Sequence, residues 1–190
     1  FPPTETPAAP AAPPPATQAA GDEAKATLLA EASALYERAA YPEAISKLEQ
    51  LLRLDANYGH EQVEDILFHS YARVGAVLVE EERFEEGVRY FDLALKLRPG
   101  EEGLQLERDL AAGYSTATSY WDVDWERAIA AFGELYALQP GYRDVASRFY
   151  NAQIEYANLL NENGQWCEAA GWYEKALQLR ADPAVVSKQQ

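Results

Sequence analysis

Acidic side chains form the two groups in this sequence that could do chemistry, because carboxylate oxygens are the ligands that Ca²⁺ and Mg²⁺ prefer. The groups are Glu80, Glu81, Glu82, Glu85 and Glu86, and then Asp122, Asp124 and Glu126. We interpret the first group as a solvated helix end. In the second, Asp124 is placed to cap a helix whose first turn contains Glu126, where negative charge is favourable. Neither group is therefore predicted to bind a metal.

The other reactive side chains lack the partners that catalysis requires. His60 and His69 do not have the spacing of a zinc-binding pair, and we expect His60 to be a surface histidine. Cys167, the single cysteine, has no histidine nearby in sequence, which favours a buried small apolar residue over a nucleophile. No glycine-rich loop is suited to holding a phosphate. We therefore predict a non-enzymatic protein without a cofactor.

The net negative charge of the chain disfavours anionic partners. The chain has 31 acidic and 16 basic residues and a formal net charge of −15. Contacts with a phosphate backbone or an anionic membrane would begin with repulsion. No stretch approaches the roughly 18 consecutive apolar residues that suggest a membrane span. Neither nucleic acid nor direct membrane insertion is therefore predicted.

The elements that position these residues are helices with one apolar face. Trp166, Ala169, Tyr173, Ala176 and Leu179 are three or four residues apart, so they share one helix face. The same pattern occurs three times earlier, as Tyr41, Ala44, Leu48, Leu51 and Leu54; as Phe84, Gly87, Phe91, Ala94 and Leu97; and as Trp125, Ala128, Phe132, Leu135 and Leu138. The small second residue recurs at intervals of 43, 41 and 41 residues. A fixed period in this range predicts an all-α solenoid of four helix pairs.

Composition divides the chain into a tail and a repeat domain. Residues 1–20 contain seven of the 11 prolines, and we predict an extended tail over residues 1–21 that reaches roughly 3.1 Å per residue. The solenoid is predicted over residues 22–190. Its units are about 22–57, 58–100, 101–141 and 142–182, followed by a short C-terminal segment. Pro42, Pro99, Pro140 and Pro183 all lie at predicted helix junctions, which supports this segmentation.

The repeated pattern resembles the tetratricopeptide repeat family, whose second helix has the form aromatic, x, x, small, x, x, x, aromatic. The fourth unit matches best, through Tyr156, Ala157, Leu160 and Gly164, followed by Trp166, Ala169, Tyr173 and Ala176. The period is longer than the 34 residues of the family, which implies first helices lengthened by about two turns. Tyr41, Phe84, Trp125 and Trp166 occupy the same place in each unit, and we predict that they pack in the core.

The resemblance implies a concave groove that is lined by the first helices and binds peptides or partner chains. The matching positions are Leu29, Tyr36, His69, Arg73, Val79, Tyr114, Tyr120, Trp121, Asn151, Ile154, Asn158 and Asn161. For Tyr114, Tyr120 and Trp121 a binding role and local packing both remain open, because they interrupt the repeat pattern. The Lys and Asn set with which some relatives hold a terminal carboxylate is not assembled.

These observations predict an interaction scaffold at the cell surface or outside the cell that associates with other copies of itself. A filament is expected if the tail docks on a neighbouring copy through Phe1, Pro2, Pro3, Pro13, Pro14 and Pro15. The alternative is an extracytoplasmic peptide-binding or sensor domain of a membrane-anchored bacterial protein. Because the sequence starts with Phe1, we expect that a signal or anchor has been removed.

Overall fold

The computed structural model describes residues 15–180 and 184–186, and the regular structure in these ranges is helical, without a strand. Eight helices follow one another: α1 (Pro15–Glu37), α2 (Tyr41–Leu54), α3 (His60–Glu80), α4 (Phe84–Leu97), α5 (Glu102–Ser119), α6 (Trp125–Leu138), α7 (Val145–Glu162) and α8 (Trp166–Leu179). The all-helical class is therefore confirmed for the described residues. The chain divides into two compact units at the Val74–Gly75 boundary, which lies within α3.

The N-terminal boundary differs from the prediction. Residues 15–20 were expected to be extended, but α1 begins at Pro15. Proline is accepted at the first helical position, where its missing N–H leaves no hydrogen bond unmade, and the following Ala-rich residues favour a helix. Phe1, Pro2, Pro3, Pro13 and Pro14 lie outside the described residues.

A left-handed residue ends the first helix of three pairs in the same way. Ala39, Glu82 and Gly164 have φ angles of 58°, 63° and 77°. In each case the next backbone N–H donates to the carbonyl five residues earlier, with N···O distances of 2.9, 2.8 and 2.9 Å respectively. This is the Schellman arrangement, which satisfies carbonyls that the helix leaves unpaired. Three of the connections therefore share one geometry.

The remaining connection, between α5 and α6, is two residues longer. Asp122 is left-handed with a φ of 61°, and Asp124 then caps α6 by accepting the N–H of Arg127 at 3.0 Å. Glu126 lies in the first turn of α6. Both structural roles predicted for this acidic group are confirmed.

The first unit is built from α1, α2 and the N-terminal part of α3. Helix α1 packs on α2, and Ala44 and Leu48 of α2 are fully buried. Lys25 of α1 binds Asp55, which follows α2, with an Nζ···Oδ2 distance of 3.1 Å. A hydrogen bond from Gln62 to Ser33 joins α3 to α1. This unit therefore has its own apolar and polar contacts.

In the second unit each helix from α4 to α7 packs on the next one along the chain, ending with α7 on α8. The end of α3 meets α4 at a close backbone approach. A Cβ atom added to Gly87 would lie 2.6 Å from Cγ2 of Val79 and 2.9 Å from the carbonyl oxygen of Gly75. No side chain fits there without displacement of the backbone. This explains why the repeated pattern has glycine at position 87, whereas Ala44, Ala128 and Ala169 occupy the equivalent positions.

Burial follows the predicted apolar faces at their centres but not at their ends. The small residues Ala44, Gly87, Ala128 and Ala169 are all buried. Trp166, predicted to be core, is 70% exposed, and Cys167, predicted to be buried, is also exposed. Both predictions were wrong. Phe84, at the equivalent position, is covered by Tyr114 of the following helix, whereas the short helical segment 184–186 that follows α8 leaves Trp166 exposed.

Candidate functional site

An open groove lies between the C-terminal end of α3 and helix α5. We call it the α3–α5 groove, and it has a volume of about 510 Å³. Its lining residues are Ala76, Val79, Glu80, Phe91, Gly103, Leu106, Glu107, Leu110, Gln139 and Tyr142. Helices α3 and α5 also contain Val79 and Tyr114, two residues at which the repeat resemblance predicted a binding surface.

The floor of the α3–α5 groove is apolar. Phe91 of α4 and Leu110 of α5 are buried beneath it, with 1% and 3% of their surface exposed. Leu106 lies one helical turn before Leu110 on the same face of α5 and is 40% exposed. A ligand that covered Leu106 would therefore remove apolar surface from water.

The polar groups of the groove lie on its rim and at one end. Glu80 and Glu107 are exposed, and neither carboxylate forms an ion pair within the described part of the chain. The hydroxyl oxygen of Tyr142 is buried but has no hydrogen-bond partner there. A buried hydroxyl without a partner is uncommon in proteins, but this oxygen is out of reach of solvent and therefore of a ligand in the open groove.

The turn between α6 and α7 is tied to the end of α3, and this contact holds Tyr142 in place. Arg143, with a left-handed φ of 46°, donates a hydrogen bond from Nη2 to the backbone carbonyl of Val79. The same carbonyl also accepts the backbone N–H of Glu82 at 3.1 Å, and its second lone pair is available to Arg143. The guanidinium carbon also lies 4.9 Å from the centre of the Phe84 ring.

A second set of hydrogen bonds fixes the start of α7. Asp144 accepts the hydroxyl of Tyr114 at 2.6 Å and Nε of Arg148 at 2.8 Å. Burial raises the pKa of Tyr114, and its hydrogen bond to Asp144 raises it further. Burial opposes ionisation of Asp144, but the hydrogen bonds from Tyr114 and Arg148 outweigh it and lower the pKa of this carboxyl. Asp144 is therefore ionised at neutral pH.

Of the predicted groove residues, Val79 lines the α3–α5 groove and Tyr114 does not. Tyr114 is only 7% exposed, and its ring packs 5.1 Å from that of Phe84 and 5.9 Å from that of Tyr142. Tyr120 and Trp121 are half-buried against the same core. Of the two readings left open for these three residues, the structure favours local packing.

The other predicted groove residues are dispersed. In the first unit, Tyr36 lies 6.5 Å from His69 between ring centres, and Leu29 packs beside Gly59. Arg73 is exposed.

On α7, Asn158 accepts the hydroxyl of Tyr173 at 2.7 Å, and Ile154 packs against the core formed with α8. Asn151 and Asn161 are exposed. None of these four residues of α7 lines the α3–α5 groove.

Sequence reasoning missed Leu106, Glu107 and Tyr142. The first helix of the third unit matched the repeat pattern poorly, so its groove-facing residues were not assigned. The spacing of Leu106, Leu110 and Gly113 was the available signal, because residues three and four apart share a helix face. Tyr142 carried no such signal, since it lies in a turn.

The first acidic group is a paired and solvated helix end. Arg83 contacts both carboxylate oxygens of Glu86 at 2.8 Å and one oxygen of Glu81 at 3.1 Å. The hydrogen bonds from Arg83 lower the pKa of Glu86. Among the described residues, no three His, Cys, Asp or Glu side chains are grouped so that they could hold a metal ion.

Within the same ranges, no helix combines the length and the hydropathy needed to cross a membrane. No protein family model and no curated protein matches this sequence.

Proposed function

We propose that this chain is a non-enzymatic protein–protein interaction scaffold that binds an extended polypeptide segment in the α3–α5 groove. The groove itself carries the proposal, because it combines an apolar floor, the exposed side chain of Leu106 and free carboxylates at the rim. Ligand sites are typically concave and mostly apolar, with a few polar groups that orient the ligand.

The scaffold is proposed to be a solenoid of four helix pairs similar to tetratricopeptide repeats. Support comes from the buried small residues that recur in the second helices and from the left-handed turn that recurs at Ala39, Glu82 and Gly164. Because equivalent helices of such a repeat run side by side, the space between α3 and α5 suits a ligand in an extended conformation.

Selection of peptides on the full chain tests this proposal. A display library of random peptides is panned on the wild-type protein, and binders are compared on Leu106→Glu and on the control Leu93→Glu. Leu93 is 37% exposed on α4 and does not line the groove, so both variants add one charge to a similarly exposed leucine. We expect binders that lose affinity for Leu106→Glu and keep it for Leu93→Glu. Failure to enrich any peptide, or binders insensitive to Leu106→Glu, would refute the groove as the binding site.

Self-association is a second candidate function, and the exposure of Trp166 favours it. Phe84 at the equivalent position packs 5.1 Å from the ring of Tyr114 in the next helix, so this position in the repeat is suited to an aromatic partner. We propose that a second copy covers Trp166. Sedimentation equilibrium of Trp166→Ser should then show weaker association than the wild type, while Val123→Ser, at an 80% exposed valine, should not. Equal association of all three proteins would eliminate this surface.

The tail provides another possible contact between copies. Docking of residues 1–14 on a neighbour remains a proposal, and it is supported by the low charge of this segment, in which Glu5 is the only ionisable side chain. Its composition is also the basis for the proposed location outside the cell or at the cell surface. A labelled peptide of residues 1–14 should bind the full chain if the tail is a ligand, and absence of saturable binding would exclude tail docking.

A further inference from the structure

We infer that the α3–α5 groove selects a peptide in which an apolar side chain is flanked by Lys or Arg residues. This inference rests on the proposed peptide-binding function and narrows it to one chemical class of ligand. It depends on three features of the groove. The carboxylates of Glu80 and Glu107 are free within the described residues, the arginine of the α6–α7 turn is engaged by other groups, and the surface below the carboxylates is apolar.

The carboxylates at the groove rim are free, whereas others in the same unit are paired. Glu81 and Glu86 are contacted by Arg83, and Asp92 accepts Nε of Arg108 at 2.9 Å. Glu80 and Glu107 have no such partner within the described residues. A cleft lined by one sign of charge and walled by apolar groups concentrates ions of the opposite sign. The groove therefore favours a cationic ligand.

The arginine beside the groove does not cancel this charge. Arg143 follows the groove-lining Tyr142, but its guanidinium is engaged by the carbonyl of Val79 and lies over the Phe84 ring. Its Nη1 is also 3.9 Å from a carboxylate oxygen of Glu82. The nearest acidic neighbour of Arg143 is thus outside the groove lining, and the negative charge of Glu80 and Glu107 remains available to a ligand.

The apolar surface of the groove favours a cation that is part of a peptide. Leu106, 40% exposed above Leu110, offers an apolar contact that a small cation such as a metal or a polyamine head would leave uncovered. Nucleic acid would instead bring phosphates towards Glu80 and Glu107, where they would be repelled.

Three capped peptides of identical length test the inference on the full chain. In one-letter code they are AKLLKA, AQLLQA and AELLEA, which differ only in the charge beside the leucines. We expect fluorescence anisotropy to show that AKLLKA binds about tenfold or more tightly than AQLLQA at low salt and that AELLEA binds weakest. The preference should shrink as salt is raised, because exposed charges are screened.

Substitutions in the protein test whether the preference for AKLLKA arises from Glu80 and Glu107. The double variant Glu80→Gln/Glu107→Gln should lose the preference for AKLLKA, whereas the control Glu102→Gln/Glu174→Gln, which removes two exposed carboxylates that do not line the groove, should keep most of it. Leu106→Glu should weaken the binding of AQLLQA, while Leu93→Glu should not.

The outcomes separate the two proposals. If AQLLQA and AKLLKA bind equally and both are lost in Leu106→Glu, the groove binds peptides but the charge selection is wrong. If the peptides bind equally to wild type and Leu106→Glu, or if none of them binds and panning also enriches no peptide, the proposed function fails as well. A preference for AKLLKA that both double variants retain would also overturn the inference, because the charge would then act from elsewhere on the surface.

Discussion

At the scale of single residues, the left-handed turns restrict which residue types fit without strain. Gly164 adopts a φ of 77° without strain, whereas Ala39 adopts 58° with a Cβ atom that disfavours this region by about 1–2 kcal/mol. The same backbone motif is thus built once with the residue suited to it and twice, at Ala39 and Glu82, without it. This difference gives a direct test of the turn geometry.

We expect Gly164→Ala to lower the free energy of unfolding by about 1 kcal/mol, because alanine is strained at this φ. A Cβ atom at Gly164 would meet no other atom within 4 Å, so the effect reports the backbone alone. Ala39→Gly should raise stability slightly or leave it unchanged, since relief of strain is partly offset by the greater freedom of glycine in the unfolded chain. Urea unfolding measures both.

Gly141→Ala is the matched control, because Gly141 also has open space around it but lacks a positive φ. Alanine there should be neutral or stabilise by about 0.4–1 kcal/mol. Equal losses in Gly164→Ala and Gly141→Ala would show that the left-handed turn after α7 is not the cause.

At the scale of the elements, the α6–α7 turn links helices that are distant in sequence. Arg143 reaches the end of α3, and Asp144 reaches Tyr114 of α5. The groove therefore depends on this turn, because Tyr142 lines it immediately before these two contacts. Its polar contacts respond to pH in a predictable direction.

Protonation of Asp144 should destabilise the second unit. Since its pKa in the folded protein is below the ordinary value of 3.8, the stabilisation is present above that value and is lost as the pH falls through the folded pKa. Asp144→Asn should therefore be less stable than the wild type at neutral pH, by about 1 kcal/mol for a half-exposed group, and the difference should disappear in acid. Thermal unfolding between pH 7 and 3 measures this.

Tyr114→Phe and the double variant Tyr114→Phe/Asp144→Asn complete the test. Because the two side chains are joined by a hydrogen bond of 2.6 Å, their effects at neutral pH should not be additive. A constant difference between Asp144→Asn and the wild type at every pH would contradict a role for the carboxylate charge.

At the scale of the whole molecule, the short segment that follows α8 adds a buried side chain to the core formed by α7 and α8. Residues 184–186 are helical, and Val185 is 5% exposed in the core that includes Tyr150, Leu160 and Tyr173. Helical repeats require cover for the apolar face of a terminal pair. Val185 provides part of that cover.

Val185→Asp should lower the free energy of unfolding by about 2 kcal/mol, since it removes a buried apolar side chain and introduces a charge. The exposed core should also bind a hydrophobic dye such as ANS. Val186→Asp, one residue later at 43% exposure, is the control and should change neither property appreciably. Similar effects of the two substitutions on unfolding and dye binding would contradict the packing of Val185.

Much of the helical structure could be read from the sequence because its signals are local. The repeated spacing of apolar residues predicted α2, α4, α6 and α8, and prolines marked the junctions. The small residues at Ala44, Gly87, Ala128 and Ala169 were correctly expected to be buried. Periodicity of this kind reports which side of a helix is apolar, and for the centre of a helix that information is sufficient.

The candidate site needed tertiary structure, because an apolar pattern does not say which neighbour covers it. Tyr114 and Trp166 are both aromatic residues at predicted contact positions, yet one is 7% and the other 70% exposed. The difference depends on whether another helix packs over the residue. Likewise, the α3–α5 groove exists because the turn at Tyr142 meets a helix more than 60 residues earlier in the chain. Contacts between residues so far apart in sequence leave no periodic signal. Only the tertiary packing therefore determined where the groove lies and which carboxylates line it.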